Sequence, residues 1–133
     1  MIVVDTNLIA YFFVHSDWTA QAEAVRRSDP VWAAPTLWRS EFRNILVRMI
    51  RQRALGLEEA RRIATEAEHG MAGQEYTAMS DDVIDLAVSS GCTAYDCEFV
   101  GLAISLGVPL VTSDRRVLRA FPSVARAPAA FGR

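Results

Sequence analysis

The chain has 133 residues and a formal net charge of −2, long enough for a domain with a real core and too acidic overall for a generally basic nucleic-acid coat. Its apolar fraction of 51% is that of an ordinary globular protein and excludes a disordered chain. All 14 basic residues are Arg, so chemistry that depends on a Lys is excluded too.

The first apolar run, Met1–Val4, reads as a buried strand that ends at Asp5. Leu8–Val14 reads as a short helix, and Asp17–Asp29 as a second one, capped by Asp17 and stopped before Pro30. Val31–Pro35 is a short strand. Pro35 and Thr36 open a long helix that runs to about Arg53 and is closed by Gly56. Leu57–Gly70 is a further helix. Gln74–Met79 is a strand, Ser80 caps a helix to Gly91, and Thr93 opens a helix to about Leu106. Val108–Ser113 is a strand, Asp114–Phe121 a short helix, and a last strand falls near Ser123–Arg126. Strands alternate with helices from end to end. The expected fold is therefore α/β, one domain over residues 1–133, with a central parallel sheet of four to five strands and helices on both faces.

The N-terminus lacks a basic leader region, and Asp5 interrupts its apolar run, so no secretory signal is expected. The longest uncharged stretch, Phe99–Ser113, is shorter than the roughly 20 residues that span a bilayer. A cytoplasmic protein without membrane contact is expected. Cys92 and Cys97 read as small buried residues, because zinc needs four clustered ligands and His15 and His69 are far apart. The apolar cluster Phe12, Phe13 and Trp18 is either core or interface, with core the expectation.

Four acids stand out by position. In open parallel sheets, ligands sit beyond the carboxyl ends of the strands. Asp5 and Asp114 both follow strands and so lie on that rim. Glu41 borders the apolar stripe Trp38, Phe42, Ile45 and Met49 of its helix. Asp96 lies near the stripe Tyr95, Phe99, Leu102, Ala103 and Leu106. Each has an ordinary explanation: Asp5 and Asp114 could cap helices, Asp96 could complete a capping box with Thr93, and Glu41 could pair with an Arg. Asp81, Asp82 and Asp85 are ordinary partners of a helix dipole. Together, the four acids on one rim would repel one another without a cation. An all-carboxylate donor set suits Mg²⁺ or Mn²⁺, which polarise phosphoryl oxygens and acidify water. The pattern points to phosphodiester hydrolysis.

The motifs Val3–Asn7 (VVDTN), Trp38–Asn44 (WRSEFRN), Thr93–Ala103 (TAYDCEFVGLA) and Pro109–Asp114 (PLVTSD) resemble the PIN-domain nucleases, and most closely the VapC-type toxins of bacterial toxin–antitoxin pairs. The resemblance spans the whole chain and all four acids in order. It implies that Asp5, Glu41, Asp96 and Asp114 are the catalytic, metal-holding set. It implies that Asn7 and Thr112 are accessory polar residues, with Ser113 an alternative to Thr112. It further implies a Mg²⁺- or Mn²⁺-dependent endoribonuclease, a homodimer, and a small antitoxin protein as partner.

An RNA substrate needs cationic contacts, for which Arg43, Arg115 and Arg116 are the candidates, Arg115 and Arg116 because they follow Asp114 directly. Rival readings are weaker. A haloacid-type phosphatase needs a second Asp where Asn7 stands and usually a Lys; a phospho-receiver needs a Lys; no Gly-rich phosphate loop follows Val4. The non-enzymatic alternative is a PIN-fold binding module whose acids hold a structural ion or cap helices.

Overall fold

Ile2, Val3 and Val4 form strand β1 (Ile2–Val4), and all three are buried. A strand with parallel neighbours on both sides and helices on both faces carries a continuous apolar run rather than an alternating one. The computed structural model of the protein describes residues 1–131. After β1 come α1 (Thr6–Phe13), α2 (Thr19–Ser28), β2 (Trp32–Pro35), α3 (Leu37–Arg51), α4 (Leu57–Met71) and β3 (Glu75–Tyr76). They are followed by α5 (Ser80–Ser90), α6 (Ala94–Leu106), β4 (Leu110–Val111), α7 (Arg115–Ala120), β5 (Ala125–Arg126) and α8 (Pro128–Phe131).

The five strands form one parallel sheet in the order β3-β2-β1-β4-β5. Val3 is paired with Ala33 on one side and Leu110 on the other. The chain steps outward from β1 to β2 and β3, then returns to lay β4 against the free side of β1. With right-handed crossovers, this reversal puts α1–α4 on one face and α5–α7 on the other. The packing agrees: α1 rests on α2, α3 and α4, whereas α5 rests on α6, and α6 lies across β1, β2 and β4. The reversal also makes the β1/β4 junction the topological switch point, where the loops leaving two adjacent strands part and open a crevice.

Trp32, Trp38, Phe42, Ile9 and Val100 are among the largest fully buried side chains. Gly107 takes a left-handed conformation (φ +67°) at the C-terminus of α6, which turns the chain into β4 at no steric cost.

Alternation and strand number follow the sequence reading, with β5 where a last strand was expected. Local details differ. Asp17 does not cap α2; the Thr19 hydroxyl accepts from the Ser16 amide at 2.9 Å and donates to the Tyr11 carbonyl at 2.8 Å. The long helix stops at Arg51 because Arg53 adopts a left-handed φ of +61°, which a helix cannot contain. Ser80 lies inside α5 rather than at its cap, which is Met79. Tyr95 is exposed rather than on the inner stripe of α6, whose buried residues are Cys97, Phe99, Val100, Leu102 and Ala103. Phe12 and Phe13 pack against the core and Trp18 is exposed. Cys92 and Cys97 are buried and free. Among the described residues no helix is long and apolar enough to cross a membrane.

Candidate active site

A cavity of about 250 Å³ opens at the switch point. Asp5, Glu41, Asp96 and Asp114 all line it, each from a different element. Asp5 leaves the end of β1, Asp114 follows β4, Glu41 rises from α3 and Asp96 from the first turn of α6. Ile45, Phe99, Leu110 and Val117 give it apolar walls.

Asp5 is held on both oxygens. Its Oδ1 accepts the Leu8 amide at 2.8 Å and so caps α1; its Oδ2 accepts the Thr112 hydroxyl at 2.6 Å. The Thr112 hydroxyl in turn accepts the Asp114 amide at 3.1 Å. Asp114 Oδ1 caps α7 through the Val117 amide at 3.1 Å. The two strand-end acids are thus caps, as their simplest reading held, and are also fixed on the cavity rim. Glu41 Oε1 accepts the hydroxyl of Thr6, buried at the start of α1, at 2.7 Å. Only half of the predicted capping box forms on α6: Thr93 Oγ1 accepts the Asp96 amide at 3.0 Å, while the Asp96 carboxylate has no hydrogen-bond partner among the described residues.

Burial pushes the Asp5 carboxyl above the ordinary carboxylate range; the Thr112 hydroxyl and the Leu8 and Ser113 amides oppose this, and Asp114 adds to it. Burial likewise raises Glu41, Thr6 opposes it, and Asp96, Asp5 and Glu98 add repulsion. Two of the four acids are therefore poorly stabilised as anions by the protein alone. Among the described residues, no three Asp, Glu, His or Cys side chains are grouped closely enough to ligate one ion as they stand. The donor chemistry still fits a hard dication: all oxygen, anionic, partly desolvated and facing one cavity.

Of the accessory residues, Asn7 is exposed and lines the cavity. Thr112 is buried, lines it and holds Asp5, whereas the exposed Ser113 contributes only its backbone amide. Arg43, Arg115 and Arg116 are exposed and none lines the cavity. Arg48 and Asn44 line it instead. They stand seven and three residues beyond Glu41, so helical spacing from Glu41 was the available signal.

The chain is similar to known proteins in sequence and in fold. The family model for the PIN domain matches residues 2–125. Ribonuclease VapC3 of Pyrobaculum aerophilum is 29% identical over 126 residues, which cover 92% of this chain and 96% of that protein. The crystal structure of PAE2754 from Pyrobaculum aerophilum is similar with a TM-score of 0.78 at 22% identity, covering 98% of this chain and 92% of that one. A toxin–antitoxin complex from Klebsiella pneumoniae contains a chain similar with a TM-score of 0.70 at 13% identity, covering 96% of this chain and 98% of that one. At such identities the two structures attest the fold alone. Because the matched segment starts at β1 and runs past Asp114, all four acids fall inside it, and the chain belongs to the PIN domain family.

Proposed function

We propose that this protein is a metal-dependent endoribonuclease and the toxin of a toxin–antitoxin pair. The observation that carries the reading is that four carboxylates from four elements line one cavity at the switch point. The similarity to a ribonuclease, VapC3, supports the reaction class, and the likeness to a chain of a toxin–antitoxin complex supports a small antitoxin as partner. A homodimer, working in the cytoplasm, belongs to the same reading.

Asp5, Glu41, Asp96 and Asp114 are the residues that would hold Mg²⁺ or Mn²⁺. When bound, such an ion neutralises charge on a phosphoryl oxygen and makes water a stronger acid. The chain itself supplies rigidity and orientation. Thr112 and the Leu8 amide fix both oxygens of Asp5, and Thr6 fixes Glu41. Asp96, whose carboxylate has no hydrogen-bond partner among the described residues, is free to turn toward a ligand. Asn7 offers a neutral donor and acceptor at the cavity mouth, and the apolar walls limit competing water. Arg43, Arg115 and Arg116 remain proposed contacts for phosphates outside the cavity.

The test is cleavage of RNA with Mg²⁺ or Mn²⁺, with EDTA, and by Asp5→Ala and Asp96→Ala proteins. Metal-dependent cleavage lost in both variants supports the proposal. Cleavage that survives chelation and both substitutions overturns it.

A further inference from the structure

Nuclease chemistry in this cavity faces an electrostatic difficulty: its four carboxylates repel a polyanion, and a cation held by them is largely consumed in neutralising them. The cavity wall carries one cationic side chain among the described residues, that of Arg48. Glu41, Asn44, Ile45 and Arg48 share one face of α3, and at 1.5 Å per residue Arg48 stands about 10 Å along the helix axis from Glu41. The guanidinium therefore comes from a part of the cavity wall two helical turns beyond the Glu41 backbone.

Arg48 is also uncommitted. It is exposed and makes no ion pair or side-chain hydrogen bond among the described residues. Three arginines are engaged by acids, Arg39 by Glu75 and Glu68, Arg61 by Glu58 and Arg62 by Glu66; Arg43, Arg51, Arg115 and Arg116 are uncommitted like Arg48 among the described residues, and only Arg48 lines the cavity. The last turn of a helix attracts cations, and Arg48 and Arg51 both stand there, yet only Arg48 lines the cavity. A guanidinium presents a planar fork of donors suited to phosphate.

We infer that Arg48 binds a phosphate flanking the scissile one, so that a single RNA strand lies along the exposed face of α3 with its reacting phosphodiester at the acids. The inference rests on the nuclease reading and adds to it a strand path and a positioning residue. Arg48 acts on substrate position, not on the reacting atoms.

The test compares wild type, Arg48→Gln, Arg48→Lys and the control Arg62→Gln, which removes an equal charge from α4. Steady-state cleavage and fluorescence-anisotropy binding of a labelled single-stranded RNA are both measured across a salt series. Arg48→Gln should raise KM and weaken binding by about tenfold with kcat held, and lower the salt slope of binding by about 0.7. Arg48→Lys should restore the slope, and Arg62→Gln should match wild type. A role confined to helix stability would leave the salt slope unmoved. If Arg48→Gln keeps the wild-type KM and slope while wild type cleaves, the strand path is overturned and the nuclease reading stands. If wild type does not cleave, the nuclease reading falls and binding still decides: no binding, or equal binding by wild type and Arg48→Gln, overturns the contact as well.

Discussion

The Thr112 hydroxyl donates to Asp5 Oδ2 at 2.6 Å across 107 residues of chain, and the same hydroxyl accepts the Asp114 amide. One buried side chain thereby joins the acid that ends β1 to the acid that follows β4. Thr112→Val keeps the shape and removes both bonds. The Thr112 bond favours the charged form of Asp5, so its loss moves the Asp5 carboxyl further upward. The expected result is an acid limb of the pH–rate profile displaced to higher pH, with about 1 kcal/mol lost from stability. An unmoved acid limb would show that Thr112 does not tune Asp5.

Glu41 tests whether the site is built for function at the expense of stability. Its folded-state pKa is raised, chiefly by burial, so its charged form weakens the fold as pH rises through the raised value. Glu41→Gln keeps an oxygen for the Thr6 hydroxyl and removes the charge. In EDTA, the Gln variant should melt above wild type at neutral pH, and the gap should close below the ordinary Glu range. Cleavage should be lost. Thermal denaturation at several pH values checks this, and a lower melting temperature at neutral pH would refute it.

Asp96 should separate the two properties most cleanly. Its carboxylate makes no hydrogen bond among the described residues, and the α6 cap depends on Thr93 and the Asp96 backbone amide. Asp96→Ala should cost stability only the helix-dipole contribution, about 0.5 kcal/mol. Cleavage should fall on the order of a hundredfold or more, since several kcal/mol of charge stabilisation depend on the acid set. A variant that unfolds, or one that cleaves normally, would contradict this.

Removal and return of metal gives a readout independent of activity. A ligand that binds only the folded chain adds about 2.7 kcal/mol at a hundred times its Kd. Mn²⁺ titration should therefore raise the melting temperature of wild type and leave Asp5→Asn nearly unmoved. Equal shifts in the two would place the ion elsewhere.

Glu75 lies away from the cavity but supports the helix that carries Glu41. It accepts Arg39 through both oxygens at 2.7 Å and the Trp38 indole N–H at 2.8 Å. The Arg39 bond holds its carboxyl below the usual Glu range, helped by Trp38. A depressed folded pKa gives stability that is present above the unfolded value, about 4.3, and lost as pH falls through the folded one. Glu75→Ala should cost about 1–3 kcal/mol at neutral pH by leaving the Trp38 N–H unpaired. Its acid-side decline in stability should also be shallower than that of wild type. Urea denaturation at pH 7 and at pH 3 measures both.

The acid rim was legible in the sequence because it depends on local signals. A strand end is marked by the halt of an apolar run, and Asp5 and Asp114 stand at two such halts. An inner helix edge is marked by spacing, which located Glu41 and Asp96. The arginines were less legible. Arg115 and Arg116 are near Asp114 in sequence, but α7 begins immediately after that residue and both are exposed outside the cavity lining, while Arg48, two turns beyond Glu41 on α3, lines the cavity.

By itself, then, the sequence determined the alternation of strand and helix, the apolar centre of the sheet and the identity of the acids, since each rests on a period or a terminus within one element. Tertiary structure alone decided that Thr112 rather than Ser113 holds Asp5, that Thr6 holds Glu41, and that Arg48 rather than Arg43 lines the cavity. Those are contacts between elements distant in the chain. Periodicity states which residues share a face, and only the packing of sheet and helices determines what that face meets.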